Sequence, residues 1–250
     1  IETLKGKKTK TPIWLMRQAG RHLPEYINIR QKYKDLMEMF LDPEVITNIS
    51  LQPVQRYGLD ACIVFSDILM IPYASGCDVS FKEGVGPQVK FNERFNFASH
   101  KLDPVIKGIE NIKKASEVPL IGFVGGPWTT LLYCLFDKEE RSQMNKGIIH
   151  KNEKIINTHI EDLTDIISNY AAQQVNAGID AFQIFESAAG DLEDEYFDRW
   201  CLKPTQKIIH SIKSKTDIPV IGFPRKTSKE GYVKYSNIDK LDCISLDYDF

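Results

Sequence analysis

At 250 residues with 42% apolar side chains, the chain can bury a sizeable core as one large α/β domain or two small ones. Its net charge of −2 provides no global basic field, so nucleic-acid binding has no support. No apolar run approaches the ~18 residues that a membrane span needs, and no signal-peptide pattern is present. Residues 1–11 carry four lysines and read as an arm or a frayed end. The sequence opens on Ile1 rather than methionine, so further N-terminal residues are expected.

Residues 13–16 read as a first strand, running directly into Arg17-Gln18-Ala19-Gly20-Arg21. Pro24 opens a helical stretch through Tyr33 and Leu36. Asp42-Pro43 reads as an N-cap followed by proline at the first helical position. Val45, Ile46, Ile49 and Val54 form one apolar stripe at helical spacing, and Gly58 ends that helix. The second strand, 61–65, leads into Ser66-Asp67. Residues 79–91, with Gly84 and Gly86-Pro87, read as a hairpin-like excursion outside the core. Asp103-Pro104 opens another helix, with Val105, Ile106, Ile109 and Ile112 inward.

The third strand, 119–124, ends in Gly125-Gly126-Pro127-Trp128, and a helix then carries Leu131, Leu132 and Tyr133. Residues 137–147 are charged and lack an apolar stripe. A long helix follows, with Ile156, Ile160, Leu163, Ile167 and Tyr170 on one face. The fourth strand, 181–185, enters Glu186-Ser187. A helix through Ile208, Ile209 and Ile212 precedes a fifth strand, 219–223. A polar stretch and a weak helix lead to a sixth, 243–246.

Near-continuous apolar strands alternating with amphipathic helices predict a parallel sheet buried on both faces. A TIM (β/α)8-type barrel is the expected architecture, with an open doubly wound sheet as the competitor. No Gly-x-Gly-x-x-Gly turn follows the first strand, which counts against dinucleotide binding. No linker or strict repeat divides residues 1–250, so one domain is expected. Only six barrel-type strands are counted before Phe250, so the last two βα units are expected to be missing from this chain. The five cysteines are scattered, with no Cys-x-x-Cys or His-x-Cys pair; they read as reduced thiols of a cytoplasmic protein, and no metal site is expected.

Arginines just past a strand's carboxyl end lie where parallel α/β folds bind ligands. Arg17 and Arg21 therefore read as carboxylate or phosphate holders, or as surface arginines with ordinary salt bridges. Asp67, also past a strand, reads as an acceptor for several N–H donors or as a helix N-cap. Tyr133 reads as a functional hydroxyl or a core aromatic, and Ser187 as a ligand contact or a helix cap.

The run PIWLMRQAGRHLPEY, residues 12–26, resembles the N-terminal signature of the uroporphyrinogen decarboxylase family. FSDIL at 65–69, GFVGGPWTTLLY at 122–133 and FQIFESAAG at 182–190 resemble three further blocks of that family, in the same order. The third block is usually GAPWTL followed by tyrosine. Here Gly126 replaces the alanine, which reads as a mild change, and Thr130 replaces the leucine, which puts local packing in doubt. The residue after Ser187 is Ala188, where many members have histidine.

The resemblance implies a barrel enzyme that converts the acetate arms of uroporphyrinogen III to methyls without a cofactor. It implies that Asp67 accepts the pyrrole N–H groups and stabilises positive charge on the ring. Arg17, Gln18, Ala19, Arg21 and Arg30 would surround the substrate, with Tyr133 orienting it and Ser187 touching a carboxylate. A homodimer is expected from the same resemblance. A family histidine in a Gly-His-Gly loop near the C-terminus has no counterpart among the five histidines, and none is assigned a role. Two other readings stay open: a zinc-dependent methyltransferase of the same barrel superfamily, and a tetrapyrrole-binding fragment without turnover.

Overall fold

The computed structural model describes residues 1–7, 10–82 and 86–247. Its centre is a five-stranded parallel sheet. The strands are β1 (Cys62–Ile63), β4 (Leu120–Gly125), β5 (Ala181–Glu186), β6 (Val220–Pro224) and β7 (Cys243–Ile244), paired in that order. The intervening β2 (Asp78–Lys82) and β3 (Gly86–Lys90) form a separate antiparallel hairpin, as expected; its turn, 83–85 with Gly84, lies outside the described residues.

Helices connect the strands. Before β1 lie α1 (Pro24–Arg30), α2 (Leu36–Phe40) and α3 (Pro43–Tyr57). Between β1 and β4 lie α4 (Met70–Ala74) and α5 (Asp103–Ala115). The crossover from β4 to β5 contains α6 (Pro127–Leu135), α7 (Lys138–Ser142), α8 (Lys146–Lys151) and the long α9 (Glu153–Asn176). The next contains α10 (Asp194–Tyr196) and, after a π-helical turn, α11 (Lys203–Lys213); α12 (Lys229–Ser236) precedes β7.

The two-residue period of the strands divides their side chains between two layers. Cys62, Leu120, Val124, Phe182, Ile184 and Val220 face the helices and join the main core, with Trp128, Ile167 and Ile209 fully buried against them. Ile63, Ile121, Ala181, Phe185 and Phe223 form a second cluster on the opposite face. This division explains why the strands read as continuous apolar runs. The sequence expectation for α3 also holds: Asp42 accepts from the N–H groups of Glu44 and Val45 at 2.9 and 3.1 Å, and Gly58 closes the helix at φ 62°.

Several expectations need correction. Residues 13–16 do not form a strand. Ile13 exchanges hydrogen bonds with Asp60, through its carbonyl to the Asp60 N–H and its N–H to the Asp60 carboxylate. Beyond it, the Gln18 side chain serves the β1 edge in place of a backbone ladder. Its Nε2 donates to Ala61 O at 2.8 Å, and its Oε1 accepts from Ile63 N at 3.1 Å. The helical stretch from Pro24 breaks into α1 and α2, because Asp35 turns extended and caps α2 through Met37 N. Residues 137–147 do contain helices: a capping box between Asp137 and Glu140 starts α7, and the Asn145 side chain caps α8. Such caps leave no apolar stripe to read.

The last strand is shorter than expected, ending at Ile244. The parallel sheet is open among the described residues, so a closed barrel is not observed. The N-terminal arm is anchored at its start, where Ile1 and Leu4 pack on the second cluster, while residues 8–9 lie outside the described residues. Thr130 is fully buried, and its hydroxyl has no hydrogen-bond partner among the described residues. The five cysteines are free thiols, four of them buried. No helix among the described residues is long and apolar enough to cross a membrane.

Candidate active site

A cavity of about 1180 Å³ opens on the sheet face away from the helices, at the carboxyl ends of the strands. Its volume exceeds the usual range of small-ligand pockets, about 300–1,000 Å³. The floor is aromatic, with Phe123 from β4, Phe185 from β5 and Phe223 from β6. Phe123 and Phe185 meet edge to face at 5.4 Å, and Phe185 and Phe223 at 6.1 Å.

All eight residues singled out in the sequence line this one cavity: Arg17, Gln18, Ala19, Arg21, Arg30, Asp67, Tyr133 and Ser187. They arrive from four separated segments. Arg17 and Arg21 lie in the loop before α1 and are exposed at its mouth, and Arg30 ends α1. The Arg30 guanidinium donates to Tyr33 O at 2.6 Å, which fixes its base on the turn after the helix. Ala19 packs against the small cluster of Leu23, Tyr26 and Ile49 beneath that loop. Gln18 is only 2% exposed and its amide is committed to Ala61 and Ile63, so it holds the arginine loop onto β1.

Asp67 follows β1. Its Oδ1 accepts from Leu69 N at 2.9 Å, which aims the carboxylate into the cavity from a tight turn. Burial raises the Asp67 carboxyl above its ordinary value; the Leu69 N–H and the charge of Arg17 pull the other way. A carboxylate in that state gains most when donors or a cation arrive beside it. Tyr133, on α6, lines the cavity while the Arg141 guanidinium covers its ring at 4.2 Å from the centroid. Ser187 is the first residue past β5 and reaches the same space.

Behind Ser187 lies a carboxylate that motif reading passed over. Glu186 is fully buried and accepts from Trp128 N at 3.1 Å, Thr129 N at 3.0 Å and Thr129 Oγ1 at 2.7 Å. It thus caps the helix that carries Tyr133 from the strand that carries Ser187. Burial lifts its carboxyl to about 7 despite those donors. The signal was a lone acid closing the apolar run Ala181–Phe185. Gly126 is correspondingly not a mild replacement. A Cβ there would lie 2.2 Å from Glu186 Cδ.

Two other parts of the wall were missed. The β2–β3 hairpin closes over the cavity through Phe81, Gly86 and Pro87, with Phe81 packed edge to face on Phe40 at 5.6 Å. Arg225 and Asp247, past β6 and β7, complete the rim. The signal for Arg225 was the same as for Arg17, a cation just after an apolar run of sequence. Among the described residues no cluster of His, Cys, Asp and Glu has the geometry to hold a metal ion.

Comparison with known proteins places the chain in a family. The chain is 38% identical over 256 residues to a uroporphyrinogen decarboxylase from Rickettsia rickettsii (strain Sheila Smith), covering 96% of this chain and 73% of that protein. It is 35% identical over 260 residues to a uroporphyrinogen decarboxylase from Chelativorans sp. (strain BNC1), covering 99% of this chain and 76% of that one. Among solved structures, a methyltransferase from Methanosarcina mazei superposes with a TM-score of 0.72 at 18% identity, covering 98% of this chain and 73% of that one, a likeness of fold. The family model described as uroporphyrinogen decarboxylase (URO-D) matches residues 1–250, and the chain belongs to that family.

Proposed function

We propose that this chain decarboxylates the four acetate arms of uroporphyrinogen III to methyls, giving coproporphyrinogen III in porphyrin and haem synthesis. The observation that carries this reading is the meeting of one inward carboxylate, Asp67, with Arg17, Arg21 and Arg30 around a single aromatic-floored cavity. The cavity suits a large polycarboxylate with N–H donors at its centre.

The chemistry follows from charge. Each arm exchanges its carboxylate for a proton, –CH2COO⁻ plus H⁺ giving –CH3 and CO2. Breaking the C–C bond leaves an electron pair that needs an acceptor. A pyrrole ring protonated at the α-carbon next to the one bearing the arm is that acceptor, because the released pair can then form an exocyclic double bond that neutralises the ring. Its cationic form is stabilised by Asp67, which is placed where positive charge develops. The ring becomes neutral as CO2 departs, and a second proton, delivered to the exocyclic carbon as the ring releases the first, completes the methyl. Arg17, Arg21 and Arg30 hold carboxylate arms in fixed geometry by charge-assisted hydrogen bonds. A guanidinium keeps its proton too firmly to be the acid. The proton therefore comes from the substrate or from water ordered beside Arg17. Tyr133 orients the ring or an arm through its hydroxyl.

We further infer that the five-stranded sheet is an arc of a βα barrel, that the protein acts as a homodimer, and that its free thiols belong to a reducing cytoplasm. The sequential strand order with helical crossovers supports the first of these. The test of function is turnover of anaerobically prepared uroporphyrinogen, read as CO2 release and appearance of coproporphyrinogen. Release of CO2 supports the reading. Binding of tetrapyrrole with no CO2 release would replace it with that of a carrier.

A further inference from the structure

We propose that Arg225 is a second carboxylate-holding subsite, taking an arm of the bound ring on the side away from Arg17, Arg21 and Arg30. The inference rests on the decarboxylase reading for the identity of the ligand, but its geometry is independent. Arg225 is the first residue past β6, at the same end of the sheet as Asp67 past β1 and Ser187 past β5, and it lines the same cavity. β6 stands three strands along from β1. At about 4.8 Å per strand this sets Arg225 roughly 14 Å across the sheet from the strand that leads into Asp67. A ring seated over Asp67 with carboxylates around its whole rim therefore presents arms to both sides.

The backbone beneath Arg225 is held from three directions. Its N–H donates to Glu186 O at 3.1 Å, its carbonyl accepts from Gly190 N at 3.0 Å, and the next N–H, of Lys226, donates to Asp247 Oδ2 at 2.6 Å. Lys226 takes a left-handed φ of 61° to make that turn. Gly190 lets the turn lie close, since a Cβ at 190 would stand 2.3 Å from Lys226 O. Asp247, the carboxylate on the same stretch of rim, is thus engaged by a backbone donor. A guanidinium on so fixed a base loses little freedom on binding, which favours its use in holding a carboxylate.

The test compares wild type with Arg225→Gln and Arg225→Lys, by turnover of uroporphyrinogen and by fluorescence titration with uroporphyrin, the oxidised acid, against its octamethyl ester. Loss of one charge-assisted contact predicts a rise of about tenfold in both KM and the uroporphyrin Kd for Arg225→Gln. Turnover number should change less than twofold, and Arg225→Lys should recover part of the binding. The ester should bind wild type and Arg225→Gln equally. An unchanged KM and Kd in Arg225→Gln would overturn the proposal, as would equal loss of ester binding, which would mark a purely structural role. If wild type binds uroporphyrin but releases no CO2, the decarboxylase reading fails while the titration still decides Arg225. If wild type turns over uroporphyrinogen without binding uroporphyrin, KM alone decides Arg225; if it does neither, both fail.

Discussion

Gly126 and Glu186 are complementary in size: the carboxylate of Glu186 fills the space that a Cβ on residue 126 would need, at 2.2 Å from Cδ and 2.3 Å from Oε1. Gly126 immediately precedes α6, so pressure at this contact is transmitted to the helix that carries Tyr133. Gly126→Ala should destabilise the protein by about 1–3 kcal/mol through overpacking. Adding Glu186→Asp shortens the acid by one methylene and should restore part of that loss. Urea denaturation of the two single variants and the double variant measures the coupling. Strictly additive effects would mean that the two sites do not press on each other.

Asp67 illustrates a conflict between stability and function. Burial raises its carboxyl, so the folded apoprotein is under strain to keep it ionised. Asp67→Asn removes the charge at nearly constant shape. The variant should unfold at a higher urea concentration than wild type at neutral pH, while turnover falls at least about 10²-fold. Near-wild-type turnover in this variant would end the role assigned to Asp67.

Much of this arrangement is legible in the amino-acid sequence. Runs such as 120–124, 181–185 and 220–223 are apolar at nearly every position, Gln183 being the exception, because one set of alternate side chains meets the helices and the other forms the inner cluster. The end of each such run marks the rim of the cavity, which is why Asp67 and Ser187 could be named as its lining. Residues 13–16 looked the same yet make no ladder. Only Trp14 and Met16 point inward, Ile13 is 63% exposed, and a side-chain amide takes over the strand edge. Periodicity carries no information about an edge completed by a side chain. Glu186 was missed for a related reason. Its donors come from Trp128 and Thr129, some 58 positions away in sequence, and no local pattern foretells a helix capped from a distant strand.

Gln18 supports a further prediction about the arginine loop. Its amide makes both a donor and an acceptor contact with the β1 edge, a pairing that only an amide satisfies. Gln18→Ala leaves the Ile63 N–H and the Ala61 carbonyl without these partners and should cost about 2–4 kcal/mol. Gln18→Glu keeps the acceptor for Ile63 but turns an oxygen toward the Ala61 carbonyl, and should recover little. Both variants should raise KM along with the loss of stability, because Arg17 and Arg21 are tethered through this residue. A variant with normal stability and only a raised KM would show that Gln18 serves the ligand and not the strand.

The Glu186 carboxyl also sets a pH dependence of its own. Its folded-state value is raised from 4.5 to about 7 by burial. Between those limits the folded protein holds a proton that the unfolded chain has released. The stability from this proton is complete below about 4.5 and is lost as pH rises toward about 7, amounting to roughly 3 kcal/mol. Paired acids such as Glu153, whose carboxyl is lowered by Arg199, gain stability with rising pH in a lower window, so the two effects separate. Wild type compared with Glu186→Gln in urea at about pH 5 and about pH 8 isolates the contribution. The variant starts weaker, because its amide group faces the Trp128 or Thr129 N–H that the carboxylate accepts. Its stability should nonetheless fall less than that of wild type between the two pH values, narrowing the gap at the higher one. Parallel pH profiles for the two proteins would mean that Glu186 titrates in its ordinary range and that the three donors outweigh its burial.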